Sequence, residues 1–344
     1  MSRALDANAP LFVSKENAQK TYNDIVKALC TDTEKPLEIE FLGKSHPLPP
    51  ETNVLVDGNS IAVSKAKLVQ AFVVARQIFL KHMRDCPEDK VSEVQDATAV
   101  ILLMDPEHLT AANTRKRMIQ QLQHGLKAEL EAALKKELLF VDGYLTSRLH
   151  RHTKSPTLWG HRRWILEHSA STHLKLDILR DLETVVLVAA ERHPKNYYAW
   201  SHMRWLTSTS TCSAESSSVN GLPRIITVVK DWCLRHPNDT SGFSFLYFCL
   251  SRHQFANLGD SDMSTIRSGV STDVLRLAIS FKWRHESVWV FLRTLVAEYG
   301  KEADRAAFYV AIDNISKAYP GGQTVLRRAK DWCMRYEQDS SPEL

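Results

Sequence analysis

Apolar positions recur at helical spacing over most of the chain. Lys65 to Met83 reads as a strong helix, and Ser14 to Leu29 as a first one. Leu176 to Arg192 places Leu179, Leu182, Val186 and Ala189 on one face, and Ser92–Met104, Pro223–Arg235 and Thr272–Phe281 show the same period. Between the first two helices the pattern breaks. Pro36 to Gly58 holds Pro47, Pro49 and Pro50 around the short apolar runs Ile39–Leu42 and Val54–Val56, which predicts an extended arm. The Ser/Thr-rich stretch Thr207–Asn220 predicts a loop, and Ser340–Leu344 a tail.

A second regularity lies over the first. Lys154-Ser-Pro-Thr-Leu-Trp-Gly-His-Arg-Arg-Trp164 and Lys195-Asn-Tyr-Tyr-Ala-Trp-Ser-His-Met-Arg-Trp205 align on Trp159 and Trp200. They share Lys at −5, His at +2, Arg at +4 and Trp at +5. Weaker copies place Phe243, Trp289 and Ala112 at the anchor, with spacings of 47, 41, 43 and 46 residues along the series 112, 159, 200, 243, 289. At −4 stand Ser155, Asn196 and Asp239, residue types that accept hydrogen bonds from free N–H groups at a helix start. At −6 stand Pro106, Pro194 and Pro237, which end the preceding helix. Each unit is therefore expected to be a helical hairpin. Lys230-Asp-Trp-Cys-Leu-Arg235 recurs as Lys330-Asp-Trp-Cys-Met-Arg335, so the last helix is expected to close the array.

The fold class that follows is all-α: a right-handed α–α superhelix, or solenoid, of hairpin repeats with a short extended N-terminal arm. The expected division is 1–91 for the arm and first helices, 92–300 for five repeats, and 301–344 for closing helices and tail. Composition narrows the chemistry. The 344 residues carry 44 basic and 40 acidic side chains, a net charge of +4 that does not make nucleic acid the default partner. No apolar run approaches the length of a membrane span, and Met1–Lys15 lacks the apolar core of a signal peptide. Six scattered Cys without a Cys-x-x-Cys pair suit a reducing, cytoplasmic setting and give no self-contained zinc site. There is no Walker loop, dinucleotide-binding glycine fingerprint, His-Glu-x-x-His or Gly-x-Ser-x-Gly. Cys233 with His236 is too sparse to hold a metal.

The window Lys195–Trp205 resembles the repeat of protein prenyltransferase α subunits, over about residues 92 to 300. Asn53-Val-Leu-Val-Asp-Gly58, the Lys65–Met83 helix and Ser-Gly before Phe243 resemble one branch most, the protein prenyltransferase alpha subunit repeat-containing proteins. The resemblance implies a chain that is not active alone. It would wrap around a β subunit that supplies the zinc and the isoprenoid pocket, and would lend Lys154 to the diphosphate. Lys195 and Tyr197 would lie near the same site. The branch implies geranylgeranyl transfer with a Rab-type geranylgeranyltransferase β subunit, onto a C-terminal cysteine of an already farnesylated SNARE. The family often has Asn-Tyr where this chain has Ser155-Pro156, and Trp where it has Ala112.

Prenyl transfer sends negative charge onto a departing diphosphate, and a fixed ammonium stabilises that charge best where water is screened out. The alternative for Lys154 is a solvated lysine in a turn. Tyr197 could instead pack on a neighbouring repeat. Arg148–Lys154 with His161, Arg162 and Arg163 forms an acid-free basic stretch, for which a solvated face paired with acids of the next helix is the simpler expectation. His161 and His202 repeat as packing residues would, and the anchors Trp159, Trp200, Phe243 and Trp289 are expected in the core. Two other classes compete with the enzyme subunit. One is a non-enzymatic helical scaffold. The other is an RNA-processing repeat protein, against which the 41–47 spacing and the near-neutral charge count.

Overall fold

The computed structural model describes residues 15–339 except 32–33, 44–45, 47, 50, 85, 170–176, 211–220, 252–258 and 319–323. The chain is mostly helical. It divides into two compact units, one of residues 1–176 and 191–193, the other of residues 177–190 and 194–344.

The first unit begins with α1 (Lys15–Leu29), strands β1 (Glu38–Leu42), β2 (Val54–Asp57) and β3 (Ser60–Ser64), and α2 (Lys65–His82). The expected extended arm is thus a small mixed sheet. Its order is β1-β3-β2, with β1 parallel to β3 (Ile39 opposite Ile61) and β2 antiparallel to it (Val54 opposite Val63). Pro49 lies in the connection between β1 and β2, and Pro47 and Pro50 lie outside the described residues. Gly58, at φ 57°, supplies the left-handed residue that lets the chain reverse between β2 and β3. Ile39, Ile61 and Val63 are buried, so the sheet contributes to the core. Ser64 caps α2 by accepting from the Lys67 N–H at 3.3 Å.

Three longer helices follow: α3 (Val91–Met104), α4 (Leu109–Gln121) and α5 (Lys127–Leu145). The short α6 (His150–Thr153) leads into α7 (Pro156–Ser169). Helix α5 packs along α7 and against β1, and α2 packs on α3. The core of α3 is nearly continuous from Ala97 to Leu103.

The second unit starts with α8 (Ile178–Asp181), which runs through one π-helical turn, Leu182–Val186, into α9 (Leu187–Arg192). Of the expected periodic residues, Leu182, Val186 and Ala189 are buried and Leu179 is half-buried. Then come α10 (Tyr197–Ser210), α11 (Gly221–Arg235), α12 (Thr240–Ser251), α13 (Asp260–Ser280), α14 (Glu286–Tyr299), α15 (Glu302–Ala318) and α16 (Thr324–Asp339). Helix α13 starts twelve residues before the expected Thr272 and ends at Ser280. Of the expected loop Thr207–Asn220, the first four residues belong to α10 and 211–220 lie outside the described residues, as do Ser340–Leu344. No described helix is long and apolar enough to cross a membrane.

One local geometry recurs at all five anchors. The N–H groups of Ala112, Trp159, Trp200, Phe243 and Trp289 donate to the carbonyls of His108, Ser155, Asn196, Asp239 and His285, at 3.0–3.3 Å. The anchor is therefore always the fourth residue beyond the cap. In four of the five, the cap side chain accepts from the N–H three residues on: His108 Nδ1 from Ala111, Ser155 Oγ from Leu158, Asn196 Oδ1 from Ala199 and Asp239 Oδ1 from Gly242, at 2.8–3.2 Å. That places each anchor one turn into its helix, pointing inward. Ala112, Trp200 and Trp289 are fully buried, Trp159 and Phe243 nearly so.

Turns are also tied to turns within each unit. Ser155 Oγ donates to the Pro106 carbonyl at 3.1 Å, and Ser287 Oγ to the Pro237 carbonyl. Asp239 uses its second oxygen to accept from the Lys195 N–H at 2.5 Å, with Lys195 itself at φ 59°. Gly242 is required just before Phe243, because a Cβ there would sit 2.6 Å from the Trp232 ring.

Candidate functional site

Lys154 closes α6 and is exposed. Its neighbours on both sides are fixed. His152 is buried, and its Nε2 lies 3.1 and 3.0 Å from the carbonyls of Leu102 and Leu103 at the end of α3. Both partners are acceptors, so Nε2 carries the proton. On the other side, Trp159 Nε1 donates to the Thr153 carbonyl at 2.9 Å, and Ser155 is fully engaged as cap and cross-link. The backbone that carries Lys154 is thus held rigid while its side chain faces water.

Two imidazoles lie near it, and three arginines are close to it along the chain or beside His193. The rings of His150 and His193 meet edge to face with centroids 4.4 Å apart. Partial burial holds His193 below the usual imidazole value, with His150 and Lys154 adding to the effect. Arg148 lies 3.9 Å from Glu40, Arg151 3.0 Å from Asp105, and Arg192 3.3 Å from Glu38. Among the described residues Lys154 has no such carboxylate, which leaves its charge available to an incoming anion.

The other two expected site residues belong to the second unit. Lys195 is exposed at the cap turn before α10, and Tyr197, 61% exposed, opens α10 with its ring 5.5 Å from that of Tyr198. Tyr197 does not pack into the core. His202 is buried against Trp205. His236 stacks on Trp232, and Cys233 is buried with its thiol pushed well up by desolvation, so neither is set up as a ligand. Among the described residues no three His, Cys, Asp or Glu converge on a metal position.

Beneath α6 and α7 the first unit holds a buried charge cluster that the sequence pattern does not announce. Arg115 on α4 donates through Nε and Nη2 to both oxygens of Glu137 on α5, each at 2.7 Å, and through Nη1 to Gln95 O and Thr98 Oγ1. Burial would raise the Glu137 carboxyl, but the Arg115 charge and hydrogen bonds hold it below its ordinary range. His161 Nε2 lies 3.2 Å from Glu137 Oε1, and desolvation pushes that imidazole down to about 4. Arg162 Nε donates to Asp142 Oδ1 at 2.7 Å. Arg162 and His161 are fully buried, which corrects the expected solvated face at those two positions, whereas Arg148, Arg151 and Arg163 are exposed and each paired with an acid. The clue was the anchor offset. Arg115 and Arg162 both stand at +3, on the inward face.

Residues 158–269 match the family profile of the ECM9 middle domain. No curated protein matches the chain. The matched stretch contains the Lys195–Trp205 window, and the profile it matches is that of a different family from the prenyltransferase α subunits, so the α-subunit resemblance is overturned. The physical reason is visible in the anchors. Cap, anchor and buried His at +2 answer the needs of any capped helix that starts a stacked hairpin, and they do not by themselves distinguish one helical-repeat family from another.

Proposed function

We propose that the chain serves as the α-type subunit of a heterodimeric protein prenyltransferase in the cytoplasm, with its hairpins stacked as the right-handed superhelix such a subunit needs. The observation that carries it is Lys154: an exposed ammonium on a backbone pinned from both sides, beside two imidazoles and without a carboxylate of its own. That is the equipment a diphosphate leaving group calls for. Lys195 and Tyr197 are exposed and open to a second polyanion or partner contact.

In the reaction, the acceptor cysteine sulfur bonds the allylic carbon of the isoprenoid, the carbon–oxygen bond to diphosphate breaks, and diphosphate leaves with the electron pair. Lys154 stabilises that leaving charge. Zinc, which would hold the thiolate, and the lipid pocket are assigned to the β subunit. The preferred partner is the Rab-type geranylgeranyltransferase β subunit, the preferred isoprenoid geranylgeranyl, and the preferred acceptor a protein with a C-terminal cysteine such as a farnesylated SNARE.

A second reading, a non-enzymatic helical scaffold, is favoured by one fact. Arg148, Arg151 and Arg192 each meet an acid of the same unit, and of this group Lys154 alone lacks a carboxylate among the described residues. Co-expression with Rab-type and farnesyl-type β subunits, followed by transfer of labelled geranylgeranyl diphosphate, separates the two. A stable complex that transfers the lipid supports the enzyme subunit. A stable complex without transfer supports the scaffold, and no complex with either β subunit removes the enzyme reading.

A further inference from the structure

The connection between α13 and α14 differs in chemistry from the other capped turns. Those carry Pro and a polar cap, whereas this one reads Phe281-Lys282-Trp283-Arg284-His285. The end of α13 is closed by the Trp283 N–H donating to the Ala278 carbonyl at 2.9 Å and the Lys282 N–H to the Ile279 carbonyl at 3.2 Å. In this closure the residue after the cap takes a left-handed conformation and is normally glycine. Here it is Lys282, at φ 53°. A glycine would close the helix with less backbone strain, so the backbone conformation does not explain the lysine.

Nor does the core explain its neighbours. Phe281 is 66% exposed and Ile279 41% exposed. The half-buried Trp283 ring stacks on Phe281, with centroids 6.0 Å apart and planes at 17°. The Trp283 carbonyl accepts from Trp289 Nε1 at 2.9 Å, which fixes the turn to the buried anchor of α14. Lys282 and Arg284, both exposed, alternate with the aromatics, and the five residues line an open recess of about 330 Å³. The result is an exposed turn in which apolar rings are interleaved with cations.

Aromatic rings next to cations suit two kinds of polyanion. Single-stranded nucleic acid needs a basic groove that follows the backbone over several nucleotides. This tip is one turn wide. An anionic bilayer needs only a compact tip: rings settle at headgroup level, and each nearby Lys or Arg is drawn to the negative surface. We propose that the Phe281–His285 turn docks the chain on anionic phospholipid surfaces, with Phe281 and Ile279 entering the headgroup layer and Lys282 and Arg284 meeting the lipid phosphates. The proposal does not depend on the activity assigned above.

Flotation of the full chain with vesicles tests it. Vesicles containing phosphatidylserine should bind the chain, and vesicles of phosphatidylcholine alone should bind it far less. Lys282→Gly and Arg284→Gln should each weaken binding about fivefold at low salt, and Phe281→Ser should remove most of it. Lys282→Gly carries its own control: it relieves the left-handed lysine, so the thermal midpoint should rise while vesicle affinity falls. Equal binding to neutral and anionic vesicles, no binding to either, or wild-type binding by Phe281→Ser and Lys282→Gly would each overturn the proposal. So would capture of a single-stranded oligonucleotide, lost in the same variants, with no vesicle binding.

Discussion

Replacing Glu137 with Gln tests the buried charge cluster beneath the Lys154 surface. Arg115 and Glu137 are 5% and 2% exposed, and two hydrogen bonds of 2.7 Å join them. Glutamine keeps the shape but removes the charge and can accept only one of the two bonds while presenting a donor to the other. Breaking one partner of a buried pair typically costs about 3–5 kcal/mol, because the remaining charge stays desolvated. Arg115 retains Gln95 O, Thr98 Oγ1 and the Phe140 ring, 3.8 Å from its guanidinium carbon. That places the expected cost near the lower end, about 3 kcal/mol. Because the chain holds two units, hydrogen exchange at the amides of α4, α5 and α7 is the suitable assay: it reads opening of the first unit directly. The paired replacement Arg115→Met with Glu137→Leu should recover most of the loss, since no charge is then buried. A Glu137→Gln cost below about 1 kcal/mol, or a pair as damaging as the single change, would refute the reasoning.

Three further outcomes follow from the repeat geometry and the buried imidazoles. Trp159→Phe should destabilise more than Trp200→Phe, by about 1–2 kcal/mol in denaturant melts, since Trp159 Nε1 bonds the Thr153 carbonyl whereas the buried Trp200 Nε1 has no partner among the described residues. Asp239→Ala removes both the cap of α12 and the bond to the Lys195 N–H, and should cost about 2 kcal/mol, with Asp239→Asn recovering part. His152 and His161 are both pushed from 6.5 to about 4 by burial, so the unfolded chain takes up protons below pH 6.5 while the folded chain resists until about 4. Their contribution is therefore complete above pH 6.5 and is lost as pH falls toward 4, with a slope of up to about 1.4 kcal/mol per pH unit for each. Melts across that window should flatten by about half of this term in His161→Gln, and an unchanged slope would count against it.

The helix starts were legible because their chemistry is local. Ser155, Asn196 and Asp239 each accept the bond that their side chains predict, and the anchors Trp159, Trp200, Phe243 and Trp289 all sit four residues on. His108 was missed as the fourth side-chain cap because imidazole is an uncommon one. The β-sheet was missed because pairing is not local: β1 finds β3 across the proline-rich stretch and β2, and nothing in Ile39–Leu42 alone names that partner. The buried ion cluster was hidden for a related reason. Glu137 and Asp142 fall five residues apart on α5, and only the packing of α4 and α7 against that helix turns two ordinary acids into partners of Arg115 and Arg162. Lys154 was singled out by the α-subunit resemblance, since Lys195 stands at the same offset from its own anchor. What the sequence could not display was that Arg148, Arg151 and Arg192 meet acids from β1 and the α3–α4 turn while Lys154 does not.

The most direct measurement is single-turnover lipid transfer by the assembled two-chain complex carrying Lys154→Ala. If Lys154 stabilises the departing diphosphate, the transfer rate falls about tenfold or more while the melting profile and the affinity for the second chain stay as in the wild type. An intact complex that transfers the isoprenoid at the wild-type rate would contradict the account.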